Sequence, residues 1–377
     1  MTRPDRPFNF SAGPAILPGP VLARTAAAIT ALNVEGDDSL EARLSILEIS
    51  HRSKTYDAIH SEAKALCHEV IGIPMSHKVL FLQGGASLQF SMVPMNLRAE
   101  GRPAAYIDTG TWSTKAIKES RLLGPTEVLA TSETTGFDRI PALPEVSAYD
   151  GASYLHITSN NTIYGTEWAS LPKLESDTPL VVDLSSDIAS RPMALDSVAV
   201  GYAGAQKNLG PSGLTVAFVR EDLLSRELPG VVPSLLRYRT HADKDSLFNT
   251  PNTFGIMVLR NVLDWVKEQG GVAAVGAVNR RKADKLYAVL DASSLFRGHA
   301  AKDSRSTMNV TWTLAAGDEA QSAEATQRFL AAAAEAGMSG LKGHRSVGGC
   351  RASIYNAFPE AGVDALCEFM REFERTA

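Results

Sequence analysis

The sequence predicts an α/β fold: a large domain whose mostly parallel, seven-stranded sheet lies between helices, plus a smaller C-terminal α/β domain. Two observations predict it. Short runs that are apolar throughout alternate with helix-patterned segments, as expected of strands buried on both faces. After residue 250 the alternation gives way to long helices and a second small set of strands. A chain of 377 residues with 44% hydrophobic and 21% charged residues has material for two such cores.

The first twenty residues, "MTRPDRPFNFSAGPAILPGP", hold five prolines and match neither period, so they read as an extended arm that must pack on another element. From Thr55, the apolar residues Tyr56, Ile59, Ala63, Leu66 and Val70 share one helical face. The predicted strands of the large sheet are "KVLFL" (78–82), "AAYID" (104–108), "EVLA" (127–130), "SYLHI" (153–157), "PLVVDL" (179–184), "VAVGYAG" (198–204) and "LTVAFV" (214–219). Helices are predicted over 254–270 and 277–292, then a strand in "TMNVTWTL" (307–314). An alanine-rich helix (318–336), a strand in "CRASIYN" (350–356) and an amphipathic helix (361–375) complete the small domain. The expected division is 21–265 for the large domain and 266–377 for the small one, joined by the arm 1–20.

A net charge of −5 argues against nucleic acid or an anionic membrane as partner, yet leaves room for an anionic substrate met by local arginines. Cys67, Cys350 and Cys367 have no metal spacing and suit a reducing, cytoplasmic setting without metal or disulfide. No signal peptide and no membrane span are expected.

Ligands of open parallel sheets bind beyond the carboxyl ends of the strands, so the residues there are the candidates. "QGGASLQF" (83–90) is a glycine turn entering a helix, whose free N–H groups and dipole suit a phosphate. "TGTWST" (109–114) exposes Trp112, and "SNNTIYGTEW" (159–168) offers Asn160, Asn161 and Thr162. Asp183 follows "LVV", and "AGAQKNLGPSG" (203–213) carries Gln206 and the isolated Lys207. Each alone has an ordinary structural reading: a tight turn, a core tryptophan, a helix cap, a surface lysine. Together they match the needs of pyridoxal phosphate: a phosphate turn, an aromatic plate, an acid for the ring nitrogen and a lysine to condense with the aldehyde. Small neutral neighbours would desolvate Lys207 and favour the amine that such a condensation requires.

Seven ordered stretches carry a family resemblance: "FNFSAGPAILP" (8–18), "SHRSKTY" (50–56), "GGASLQF" (84–90), "NNTIYGTEW" (160–168), "AGAQKNLGPSGL" (203–214), "NTPNTFGI" (249–256) and "HRSVGGCRASIYNA" (344–357). The chain resembles the phosphoserine aminotransferase family, class V pyridoxal-phosphate enzymes of fold type I. The resemblance implies that Lys207 bonds the cofactor aldehyde, Asp183 pairs with its ring nitrogen, Trp112 stacks on the ring and Thr162 meets its 3′-oxygen. Ala86, Ser87 and Gln206 would hold the phosphate, with Asn249 and Thr250 reaching it from the second subunit of a homodimer. Arg351 would clamp the substrate α-carboxylate. His51 and Arg52 would lie near the substrate side chain, and His344 and Arg345 would read its anion across the dimer. The implied reaction moves an amino group between L-glutamate and 3-phosphohydroxypyruvate, giving O-phospho-L-serine, and leaves open 4-phosphohydroxythreonine as a second substrate in vitamin B6 synthesis. An alanine–glyoxylate aminotransferase or a cysteine desulfurase of the same fold is the alternative. The sequence departs from other members at Ser87, Leu88 and Asn161.

Overall fold

The computed structural model describes residues 6–33, 36–228 and 230–376. Its central sheet has seven strands: β1 (His77–Leu82), β2 (Ala104–Asp108), β3 (Thr126–Thr131), β4 (Leu155–Thr158), β5 (Leu180–Asp183), β6 (Val198–Gly204) and β7 (Thr215–Arg220). Their spatial order is β1-β7-β6-β5-β4-β2-β3, and only β7 runs antiparallel to its neighbours. The expectation of a mostly parallel sheet holds. Every residue of β2, β4, β5 and β6 is buried, which explains their uninterrupted apolar runs. Strand β3, at one edge, is half exposed and correspondingly more polar. Burial of each valine or leucine in such a strand contributes about 1.5–3 kcal/mol, enough to override weak local preferences.

Helices cover the sheet. Helix α1 is Gly19–Thr30 and α2 is Lys54–Leu66, where Ser53 caps the start by accepting from Tyr56 N at 3.2 Å. Helices α3 (Gly85–Leu97) and α4 (Thr111–Leu123) follow β1 and β2 directly. Helix α5 (Thr253–Glu268) packs on α1 and α2. Helix α6 (Gly271–Ala292) starts six residues before its predicted first residue, at Gly270, whose φ of +91° makes the turn between α5 and α6. The apolar, glycine-containing opening of α6 carries no polar signal that would place its start.

The buried side chains fall into separate groups. Those around the central sheet extend along α6 as far as Val275. Another group contains Ala283, Leu286 and Leu290 from the same helix, Val310 and Trp312, and Phe10 and Ile16 from the arm. That second group packs on a three-stranded antiparallel sheet, β8 (Phe296–Gly298), β9 (Asn309–Leu314) and β10 (Cys350–Ser353), with α7 (Glu319–Glu335) and α8 (Glu360–Thr376). The expected boundary at residue 265 falls inside α5. The arm packs on the second core: Phe8–Asn9 pairs in parallel with Met338–Ser339, and the Phe10 ring lies 4.4 Å from Phe358. Residues 1–5 of the predicted arm lie outside the described residues.

Candidate active site

The carboxyl ends of β1, β2, β4, β5 and β6 converge on a cavity of about 120 Å³. It is lined by Ala86, Ser87, Trp112, Thr162, Asp183, Gln206 and Lys207 among others. Each reaches it for a local reason. After β1 the chain turns at Gly84, φ +88°, where a Cβ would sit 2.5 Å from Leu88 Cδ2. Helix α3 then begins with no side-chain cap, so the N–H groups of its first turn, at Ala86 and Ser87, face the cavity without a side-chain acceptor. After β2, Ser113 Oγ accepts from Thr109 N (2.9 Å) and Gly110 N (3.0 Å) and donates to Asp108 Oδ1 (2.7 Å). This knot sets the first turn of α4 and, with it, Trp112.

Asp183 ends β5. Its Oδ1 accepts from Ser185 N at 2.9 Å. Burial pushes its carboxyl above the usual range, while the Ser185 hydrogen bonds and the Lys207 ammonium oppose that rise. Lys207 Nζ donates to Thr162 Oγ1 at 2.7 Å and stands 5.9 Å from the centre of the Trp112 ring. Burial pulls the Lys207 amine down from 10.5 to about 8; Asp183 opposes this fall and Arg351 assists it. The desolvated lysine expected from its neutral neighbours is thus present.

These residues fit pyridoxal phosphate. Two polar atoms at the cavity, Thr158 Oγ1 and Trp112 Nε1, are buried with no hydrogen-bond partner among the described residues. A buried carboxyl, a lysine whose amine burial pulls down to about 8, an aromatic face and an uncapped helix start together form the donor set that a ring nitrogen, an aldehyde, a flat ring and a phosphate require. Four lining residues escaped the sequence reading: Phe90, Thr158, Ser185 and Ser186. The paired serines of "DLSSD", directly after the aspartate, were the available signal.

Arg351 lies on β10 and donates from Nη1 to Thr162 O at 3.4 Å. Its Nε is buried without a partner among the described residues, and burial lowers its pKa from the usual value. His344 and Arg345 sit in the turn before β10. His344 Nδ1 lies 2.7 Å from Ser346 Oγ. Its pKa is lowered by burial and then by Arg351, Arg345 and Lys115, all of its own chain. Missed by the sequence reading, Lys115 holds its Nζ 4.6 Å from the Trp112 ring centre.

Other candidates are not among the residues that line the cavity. His51 is half-buried and Arg52 exposed, in the turn before α2. Asn249 and Thr250 are exposed; Thr250 O accepts from Gln83 Nε2 at 3.2 Å, and Asn249 lines a separate cavity of about 240 Å³ with Phe81, Leu88, Leu236 and Ile256. Asn161 accepts from Thr109 Oγ1 (3.1 Å) and donates to Thr166 Oγ1 (3.1 Å). It ties the loop after β4 to the loop that presents Trp112. Among the described residues no cluster of ligating side chains could hold a metal, and no helix is long and apolar enough to cross a membrane.

Comparison with known proteins agrees with this geometry. The aminotransferase class-V family model matches residues 7–366. A phosphoserine aminotransferase of Geobacillus kaustophilus (strain HTA426) is 51% identical over 371 residues, 98% of this chain and 99% of that one. The solved phosphoserine aminotransferase of Bacillus circulans subsp. alkalophilus superposes with a TM-score of 0.90 at 46% identity, covering 99% of both chains. A phosphoserine aminotransferase structure recording radiation damage of its Schiff base gives a TM-score of 0.91 at 47% identity, again over 99% of each chain. The chain belongs to the class V aminotransferases and, within them, to the phosphoserine aminotransferase family.

Proposed function

We propose that this chain is a pyridoxal-phosphate-dependent aminotransferase that moves an amino group between L-glutamate and 3-phosphohydroxypyruvate, yielding 2-oxoglutarate and O-phospho-L-serine in serine biosynthesis. The observation that carries the reading is the single cavity that joins Lys207, Thr162, Asp183 and Trp112 beside the uncapped start of α3. When bound, the cofactor supplies an aldehyde that accepts amines and a ring that withdraws electrons from the substrate Cα.

The chain's own groups do the rest. Lys207, with an amine pulled down to about 8, is neutral often enough to attack as a nucleophile and to carry a proton on Nζ. Asp183 would hold the ring nitrogen in its protonated form, Trp112 would stack on the ring and Thr162 would bond its 3′-oxygen. The α3 start at Ala86 and Ser87, with Gln206, would hold the phosphate. Arg351, whose Nε has no partner among the described residues, would clamp the α-carboxylate common to both substrates. His51, Arg52, His344 and Arg345 would read the side-chain anion.

Asn249 and Thr250 would reach the phosphate of the other subunit in a homodimer. Their exposure, and the exposed apolar residues nearby in sequence (Val231 at 97%, Leu235 at 50%, Phe248 at 45%), support that arrangement. We assign residues 21–265 to the large unit and 266–377 to the small one that carries Arg351, joined by the arm 1–20; the separate buried cores support two units, with Val266 and Val275 still in the central core and the change falling within α6. Three buried free thiols suit a cytoplasmic enzyme.

The test is turnover of O-phospho-L-serine with 2-oxoglutarate by the cofactor-loaded protein, against L-alanine with glyoxylate as comparison. The proposal expects the first pair to be strongly preferred and Lys207→Ala to abolish turnover. Equal or better use of the second pair would replace it with the alternative activity.

A further inference from the structure

We propose that Asn309 is a positioning residue for substrate binding: it fixes the strand that carries Arg351 to the wall of the cofactor cavity. The inference rests on the reading of Arg351 as the carboxylate clamp. Arg351 belongs to β10, in the second core, whereas Asp183 ends a strand of the central sheet and Lys207 sits in the turn that follows another. Something must hold these parts in register, because a clamp must be held within about 0.5 Å to serve catalysis.

The seam is a chain of buried amides and hydroxyls. Asn160, which lines the cavity, donates from Nδ2 to Ser186 Oγ and to Asn309 Oδ1, both at 2.8 Å, and accepts at Oδ1 from Ser306 Oγ at 2.5 Å. Asn309 then donates from Nδ2 to Ser353 Oγ (2.9 Å) and Tyr355 Oη (3.2 Å). Asn309 is fully buried, and both side-chain amides use each of their N–H groups. A saturated buried network of this kind admits one arrangement, because any slip strands donors that water cannot reach.

The strand register passes this constraint to Arg351. Asn309 opposes Ser353 and Thr311 opposes Arg351, so the clamp lies two residues along β10 on the same face as the seam. Thr311 Oγ1 donates to Tyr164 O at 2.8 Å, a second tie to the loop that bears Thr162, the acceptor of Lys207.

The experiment titrates the cofactor-loaded protein with L-glutamate and with O-phospho-L-serine, following the cofactor absorbance to obtain each Kd. It compares wild type, Asn309→Leu, Ser353→Ala, Arg351→Ala and the Ser353→Ala/Arg351→Ala double variant. Loss of one seam hydrogen bond in Ser353→Ala, or of three in Asn309→Leu, predicts Kd rises of roughly three- to tenfold, equal for the two amino acids because both present the same carboxylate. The Kd of the cofactor itself, measured by reconstitution, stays within about twofold. In the Arg351→Ala background, Ser353→Ala adds nothing further, because its effect runs through the clamp. Should Asn309→Leu fail to fold, Ser353→Ala, which removes a single hydroxyl, decides alone. Unchanged Kd values, an effect on one amino acid only, a parallel loss of cofactor affinity, or additivity in the double variant each overturn the proposal. A wild-type protein that answers glutamate but ignores phosphoserine would refute the substrate assignment above, and the glutamate titration would still decide the role of Asn309.

Discussion

In the cofactor-free protein, Lys207 should lose its proton near pH 8 instead of 10.5. The shift corresponds to about 3 kcal/mol of disfavoured charge, part of which water in the cavity screens. At pH 8 about half of the Lys207 side chains would be neutral, against roughly 0.3% for an ordinary lysine, a gain of roughly 150-fold in reactive amine. The sign follows from a depressed lysine: the amine form gains as pH rises through 8, well before the unfolded chain releases its proton. The assay is the rate of modification of Lys207 by trinitrobenzenesulfonate from pH 6 to 11, read by peptide mass mapping, with the urea-unfolded protein as reference. Neighbouring charges sharpen the test. Asp183 favours the ammonium, so Asp183→Asn should move the midpoint below that of wild type; Arg351 disfavours it, so Arg351→Met should move the midpoint up. A folded-state midpoint near 10, or both variants moving it the same way, would refute the reasoning.

Further outcomes follow from packing and burial. Phe10 is fully buried against Phe358, so Phe10→Ala should cost about 3–5 kcal/mol and lower the urea midpoint. The same change should weaken cofactor retention, because the arm also donates from Ala15 N to Gln206 O. Gly110 has φ +151° and lies where a Cβ would stand 2.7 Å from the Tyr164 ring. Gly110→Ala should therefore cost at least about 1–3 kcal/mol and, in the folded fraction, reduce the quenching of Trp112 fluorescence on cofactor addition. Burial raises the thiols of Cys67 and Cys350 to about 12 and Cys367 to about 11, so native protein should resist an aromatic disulfide reagent at pH 8 while unfolded protein reacts three times per chain. A fast native thiol would revive a desulfurase-like chemistry.

Most of the architecture was legible because buried strands write themselves as apolar runs: "AAYID" and "VAVGYAG" became β2 and β6 with the same ends. The cavity wall was legible for a related reason, since a parallel sheet delivers the ends of its strands and whatever follows them to one edge: Asp183 ends a strand, and Trp112, Thr162 and Lys207 follow strands. What escaped depends on contacts between distant segments. Thr158 and Ser186 are ordinary polar residues until the sheet order sets β4 beside β5. Asn309 reads as a strand residue of the small domain, and its tie to Asn160 spans 149 positions that no local pattern encodes. The start of α6 was missed because an apolar glycine-rich opening lacks any capping side chain.

The most direct test of the account is the visible absorption spectrum of the purified protein, recorded before and after addition of O-phospho-L-serine. The account predicts a yellow band, present with Lys207 and displaced in Lys207→Ala, that phosphoserine bleaches while L-alanine and L-cysteine leave it largely intact. A protein that stays colourless after incubation with pyridoxal phosphate would contradict the account at its centre.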